Sequence, residues 1–133
     1  MLGYMLDTNI CIYVIKNRPP ALRERFNSLA DHLCVSSITL GELIYGAEKS
    51  SRPVEKLAVV EQFVARLEVL PFAGKAAAHY GNIRAHLERA GRPAGAHDMM
   101  LGGHARSEGL VMVTTNVREF ERMDGLRIEN WVA

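Results

Sequence analysis

Leu110-Val111-Met112-Val113-Thr114 carries two valines and no charge, with Gly109 before it and Thr115-Asn116 after it. A short apolar run bounded by turn residues reads as a strand buried on both faces. Upstream, Ala96 to Glu108 has a helical pattern that Gly109 terminates, and the loop Arg92-Pro93-Ala94-Gly95 leads into it. Before that loop, Lys75 to Ala90 reads as a helix stopped by Gly91. Downstream, Asn116 to Arg122 reads as a short helix and Leu126 to Glu129 as a last strand. The amino-terminal half repeats the alternation. Strands are predicted at Tyr4 to Leu6, Leu33 to Val35 and Glu68 to Phe72. Helices are predicted at Asn9 to Lys16, at Ala21 to Ala30 opened by Pro19-Pro20, at Ile38 to Glu48 capped by Ser36 or Ser37, and from Pro53 to about Leu67. Strands separated by whole helices need crossover connections, which predicts an α/β fold with a largely parallel sheet.

The chain has 133 residues, 48% hydrophobic and 23% charged, which suits one globular domain spanning 1–133 and excludes a disordered chain. Cys11 and Cys34 lie in apolar runs without paired spacing, which argues against a disulfide framework or a zinc cluster and for a reducing compartment. Sixteen Lys and Arg against fifteen Asp and Glu leave a net charge of +1. That balance excludes a purely electrostatic nucleic-acid coat but permits a local basic patch. No apolar stretch reaches the ~18 residues of a spanning helix. The start, MLGYMLDTNICIYVIK, lacks a basic leader region, so the expected location is cytoplasmic, with no membrane partner.

In open parallel sheets, ligands bind beyond the carboxyl ends of the strands. Asp7 ends the first predicted strand, and Thr114-Thr115-Asn116 ends the strand that begins at Leu110. Taken singly, Asp7 reads as a helix cap and Asp98 as a first-turn acid favoured by the helix dipole. Glu42 is more informative. On a helical wheel Leu40, Leu43, Ile44 and Ala47 form one apolar face. Glu42 lies opposite, among Ile38, Gly41, Tyr45 and Gly46 rather than other charges, as on a helix that faces a cleft with its second side. Two carboxylates ~5 Å apart at an effective dielectric near 20 repel by roughly 3 kcal/mol, so a cluster of them calls for a cation. Oxygen ligands select Mg²⁺ or Mn²⁺ over zinc. The five histidines show no metal spacing; His97, next to Asp98, is expected to pack, and Cys11 to fill the core. No nucleophile elbow, Walker loop or dinucleotide fingerprint is present.

MLDTNICIYVIK, SSITLGELIYGAEKS, RPAGAHDMMLGGHA and VTTNVREFERMDGLRIENW, in that order, resemble the PIN-domain ribonuclease toxins of VapBC toxin–antitoxin systems. The similarity runs from Met5 to Trp131 and is strongest to the enteric VapC toxins that cut initiator tRNA in its anticodon stem-loop. The resemblance implies a PIN fold, a central parallel sheet of four to five strands flanked by helices on both faces. It implies Mg²⁺-dependent RNA hydrolysis leaving a 5′-phosphate and a 3′-hydroxyl, and so inhibition of translation. Asp7 and Asp98 match the main metal ligands, and Glu42 completes the acidic site. Where many PIN domains have a fourth aspartate this chain has Asn116, with Glu119 three residues on as the substitute acid. Thr8, Thr114 and Asn116 match supporting or substrate-phosphate positions, and Lys16, Arg18, Lys49, Arg52 and Arg92, near loop ends, are the candidate cations for the substrate charge. The implied partners are a VapB-type antitoxin that inserts an arginine toward the acids, operator DNA bound by that complex, and a second copy of the chain. The dimer surface is expected on the helices from Ala21 to Ala30 and Ile38 to Leu67.

Two departures stand out. Gly102-Gly103 interrupts the D-x-x-I-A-x-H-A pattern of relatives and is expected to loosen its helix by ~1 kcal/mol per glycine. Gly41 replaces a larger residue beside Glu42 and is expected to widen the cleft. Two other functions fit parts of the pattern. A receiver-like phosphoacceptor module would need adjacent acids after the first strand and a lysine after the last, which are absent. A noncatalytic PIN-like scaffold binding RNA or protein would show degraded acids, whereas Asp7, Glu42 and Asp98 are all present.

Overall fold

All five predicted strands form, and every pairing is parallel. The computed structural model describes residues 1–132. Its strands are β1 (Tyr4–Leu6), β2 (Leu33–Ser36), β3 (Glu68–Leu70), β4 (Val111–Val113) and β5 (Ile128–Glu129). They lie in the order β3-β2-β1-β4-β5. The α-helices are α1 (Thr8–Ile15), α2 (Pro20–Ser28), α3 (Ser37–Glu48), α4 (Pro53–Val64), α5 (Gly74–Arg89), α6 (Ala96–Ser107) and α7 (Val117–Phe120). A 3₁₀ turn at Ala30–His32, not foreseen from the sequence, leads into β2.

Alternation along the three central strands explains why they carry no polar face. Leu6, Val35 and Val113 pack with Ile10, Val14, Phe26, Leu43 and Phe63 from α1 to α4. Their neighbours Met5, Cys34 and Met112 pack on the other side with Ile83, Leu87, Met99 and Leu101 from α5 and α6. Side chains point to opposite faces at successive positions, so two cores need continuous apolar strands. Cys11 and Cys34 are buried free thiols within these cores.

Boundaries differ where a local donor is missing or redirected. β3 ends at Leu70, short of the expected Phe72, because Pro71 has no N–H and the Phe72 N–H donates to Ser37 Oγ at 3.0 Å. Ser36 is the cap of α3, its Oγ accepting the Ile38 N–H at 3.1 Å. α4 stops at Val64 rather than Leu67. Gly91 and Gly109 terminate α5 and α6 as expected, with φ of 67° and 68°, a conformation that side-chain-bearing residues resist.

α6 runs unbroken through Gly102 and Gly103, Leu101 to Ala105 are all buried, and the glycine pair has a packing use. That use is close approach. A Cβ on Gly103 would stand 2.7 Å from the Tyr80 backbone N and 2.9 Å from its Cα, so α5 and α6 meet backbone to side. Gly103→Ala is therefore expected to destabilise the fold by about 1–3 kcal/mol, read as a lower urea midpoint. At Gly102 the obstacle is the flexible Met123 thioether, so Gly102→Ala should shift the midpoint less.

Candidate active site

The strand order reverses at β1, which has β2 on one side and β4 on the other. Connections leaving the carboxyl ends of β1 and β4 diverge, opening the crevice where such sheets bind ligands. Asp7 stands at this point as the N-cap of α1, only 5% exposed. Its Oδ1 accepts the Ile10 N–H at 2.9 Å and its Oδ2 accepts the Thr114 hydroxyl at 2.5 Å, across the crevice. Thr114 Oγ1 in turn accepts the Asn116 N–H at 2.8 Å. Asn116 Nδ2 then donates to Asp98 Oδ2 at 3.2 Å. One hydrogen-bonded chain thus joins the first strand, the fourth strand and the first turn of α6.

The other two acids both attach beside its Asp98 end, to residues at the start of α6. Glu119 Oε1 accepts the Gly95 N–H at 2.9 Å. Gly95 is the N-cap residue of α6 and has no side chain of its own to cap with, so Glu119 steadies the helix that carries Asp98. Asp98 Oδ2 and Glu119 Oε1 lie at the same 3.9 Å from the point where a Gly95 Cβ would sit. Glu42 Oε1 lies 3.5 Å from His97 Nδ1. His97, expected to pack, is instead the link from α6 to Glu42; adjacency to Asp98 was its only signal in the sequence.

Glu42 does face a cleft. With Gly46 it lines a cavity of about 270 Å³ together with Ile12, Ile15, Lys16 and Val59. The buried stripe of α3 is Thr39, Leu43 and Ala47, so Ile44, expected on the apolar face, lies exposed. Thr8 donates to Thr39 Oγ1 at 3.4 Å, tying α1 to α3. Thr114, grouped with substrate contacts from the sequence, is fully buried, its hydroxyl engaged by Asp7 and the Asn116 N–H. Its hydroxyl therefore supports the Asp7 carboxylate here and is not exposed on the rim. Asn116 is exposed and Thr8 partly so. Of the cations named from the sequence, Lys16 shares the Glu42 cleft, Lys49 lies over the Tyr45 ring and Arg52 pairs with Glu55 at 3.5 Å.

A second histidine went unread. His104 is buried, its Nδ1 2.8 Å from Ser36 Oγ and its ring edge-on to Phe72. It joins the far end of α6 to the cap of α3, and burial lowers its pKa.

Burial pushes the Asp7 carboxyl above its ordinary value, against the hydrogen bonds from Thr114 and Ile10 that favour the anion. Asp98 is also raised, first by burial and then by the charge of Glu119; Asp7 adds to it, and His97 opposes. Among the described residues no three Asp, Glu, His or Cys side chains form a ready-made metal cage. Mg²⁺ rarely needs one, since it keeps several waters and takes one or two carboxylates. Two carboxylates whose charge burial disfavours, Asp98 further disfavoured by Glu119 and Asp7, fit such an ion.

The shifts have a consequence for stability. Both folded values lie above the ordinary 3.8, so the folded state binds protons more tightly than the unfolded chain. Without metal, the contribution of these acids falls as pH rises from 3.8 through the raised values, and above that window they oppose folding. The thermal midpoint of metal-free wild type should therefore gain on acidification relative to an Asp7→Asn/Asp98→Asn protein. Identical pH curves for the two proteins would refute this electrostatic reading.

The family model described as PIN domain matches residues 4–126. The chain belongs to the PIN-domain family. Within it the chain falls among the VapC proteins. It is 60% identical over 131 residues to a tRNA(fMet)-specific endonuclease VapC of Shigella flexneri, covering 98% of this chain and 99% of that one. It is 56% identical over 132 residues to Ribonuclease VapC2 of Haemophilus influenzae, covering 99% and 100%. The crystal structure of DNA-bound VapBC from Salmonella typhimurium superposes with a TM-score of 0.95 at 60% identity, covering 98% of this PIN domain and 99% of that chain. The five-stranded parallel sheet with helices on both faces is the PIN fold expected from the motifs.

Proposed function

We propose that this VapC-family PIN domain is the ribonuclease toxin of a VapBC pair, a Mg²⁺-dependent endoribonuclease that cuts initiator tRNA in the anticodon stem-loop and so halts translation in the cytoplasm. The observation that carries the reading is the Asp7–Thr114–Asn116–Asp98 chain across the switch point, with Glu119 and Glu42 attached to α6 at either side. In this reading Asp7 and Asp98 hold Mg²⁺, or Mn²⁺ in its place. When bound, such an ion lowers the pKa of a water and offsets charge on the attacked phosphate.

The chain's own residues do the positioning. Thr114 fixes the Asp7 rotamer, and Asn116 holds Asp98, in place of the aspartate many relatives carry. Glu119 anchors the start of α6, while Glu42, the most exposed of the four acids, takes up a proton from the attacking water. Water adds at phosphorus, the bond to the 3′ oxygen breaks and that oxygen takes a proton from solvent, leaving a 3′-hydroxyl and a 5′-phosphate. A VapB-type antitoxin restrains the toxin by bringing an arginine to the same acids, the pair binds its operator DNA, and the toxin forms a homodimer. The similarity to VapBC structures and to the tRNA(fMet)-specific relative supports this assignment.

The test is incubation of purified protein with a total tRNA pool in Mg²⁺, followed by mapping of the cut ends. Initiator tRNA should be opened within the anticodon stem-loop, with ligatable 5′-phosphates. An intact pool, with protein that still binds RNA, would favour a noncatalytic scaffold.

A further inference from the structure

A cleft of about 100 Å³ lies on the face away from Glu42, between the second half of α5, the end of α6 and the turn after α7. Asn82, His86, Arg89, Arg106, Arg122 and Asp124 line it. The charges are uneven: three guanidiniums face one carboxylate, and the Asp124 carboxylate lies 3.4 Å from His86 Nε2.

Arg106 is fixed by neutral acceptors alone. Its Nε donates to His79 Nδ1 at 2.9 Å, Nη1 to the Asp124 carbonyl at 2.8 Å and Nη2 to Asn82 Oδ1 at 2.8 Å. A guanidinium has about five N–H donors, so some of its donors stay unspent on protein. Among the described residues no carboxylate lies within 4.0 Å of the Arg89 or Arg106 guanidinium. A cationic fork held in place without a neutralising acid is pre-organised for an oxyanion.

Arg122 connects this cleft to the acids. Its Nη1 donates to the Pro93 carbonyl at 2.7 Å and lies 3.9 Å from Glu119 Oε2. Glu119 in turn holds Gly95 at the start of the Asp98 helix. A polyanion lying over the acids meets repulsion there, and a net charge of +1 gives it no attraction from the chain as a whole. Attraction must come from local cations next to the acids.

We propose that the Arg89–Arg106–Arg122 cleft binds a phosphodiester of the RNA strand flanking the cut site. The proposal rests on the ribonuclease reading, but binding is testable without cleavage. Affinity of the full-length protein for a labelled RNA hairpin is measured in EDTA by fluorescence anisotropy across a salt series. Arg89→Ala is the main variant, being an exposed residue at the end of α5, with Arg89→Lys as rescue. Arg66→Ala is the distant control, since Arg66 lies against Asn27 and Phe26 on the other side of the sheet. Arg89→Ala should weaken binding about tenfold. The loss should be the same for hairpins of different sequence, and the slope of log affinity against log salt should fall by about one. Lysine should restore most of the affinity, and Arg66→Ala should match wild type.

Unchanged affinity and slope in Arg89→Ala, or a loss confined to one RNA sequence, would overturn the proposal. So would inorganic phosphate or adenosine monophosphate raising the wild-type thermal midpoint at millimolar concentration while RNA binding ignores Arg89, which would make the cleft a small-anion site. Wild type that binds RNA with the Arg89-dependent slope yet cuts nothing in Mg²⁺ would sink the ribonuclease reading and leave the cleft standing.

Discussion

Asp7→Asn should lower RNA cleavage by at least about 100-fold and leave the folded protein as stable as wild type or more so. A group that merely orients a metal ligand is worth 10- to 100-fold in affinity or activity, so a ligand itself should exceed that. The stability half follows from geometry. The asparagine Oδ1 can still accept the Ile10 N–H, and the Thr114 hydroxyl still has a neighbour, while the buried charge is gone. Asp7→Ala should also abolish cleavage but lose about 1 kcal/mol of helix capping. Kinetics paired with a melting curve therefore distinguishes a functional carboxylate from a structural cap. An Asp7→Asn protein that cuts at the wild-type rate would leave Asp7 with the capping role alone.

Removal of divalent ions should have an effect of similar size. In EDTA cleavage should cease, with Mg²⁺ or Mn²⁺ restoring it. The same ions should raise the thermal midpoint of wild type, because anything bound only by the folded state stabilises it, by about 2.7 kcal/mol at 100 times the dissociation constant. A bound cation would offset the charges of Glu119 and Asp7 that act on Asp98. Asp98→Asn should therefore lose most of the metal-dependent rise and melt higher than wild type in EDTA. A midpoint in Mg²⁺ equal to that in EDTA, with cleavage unaffected, would refute the metal's role.

The sheet was legible because buried parallel strands leave a plain mark, short uncharged runs such as Leu110 to Thr114 separated by helices with proline starts and glycine stops. The acids at strand ends were legible for the same reason, since a rim position follows from where a strand stops. Contacts made across the fold were not. Nothing near His104 in the sequence signals Ser36, sixty-eight positions away, or says that its ring closes the gap between α6 and the cap of α3. Gly102-Gly103 reads as a helix weakness until the α5 backbone is set against it. Thr114 reads equally as a support or a substrate-phosphate contact, and its burial under Asp7 favours the support. Glu119 reads as the substitute fourth acid, and its further bond to the Gly95 amide, at the start of the helix that carries Asp98, leaves no mark in the sequence.

The most direct measurement is a Mn²⁺ titration followed by electron paramagnetic resonance of the free ion, on wild type, Asp7→Asn and Asp98→Asn. Wild type should remove Mn²⁺ from the free signal with a saturable isotherm that Mg²⁺ competes away, and each variant should lose that uptake. Equal uptake by all three proteins, or none by wild type, would contradict convergence of these acids on a metal ion.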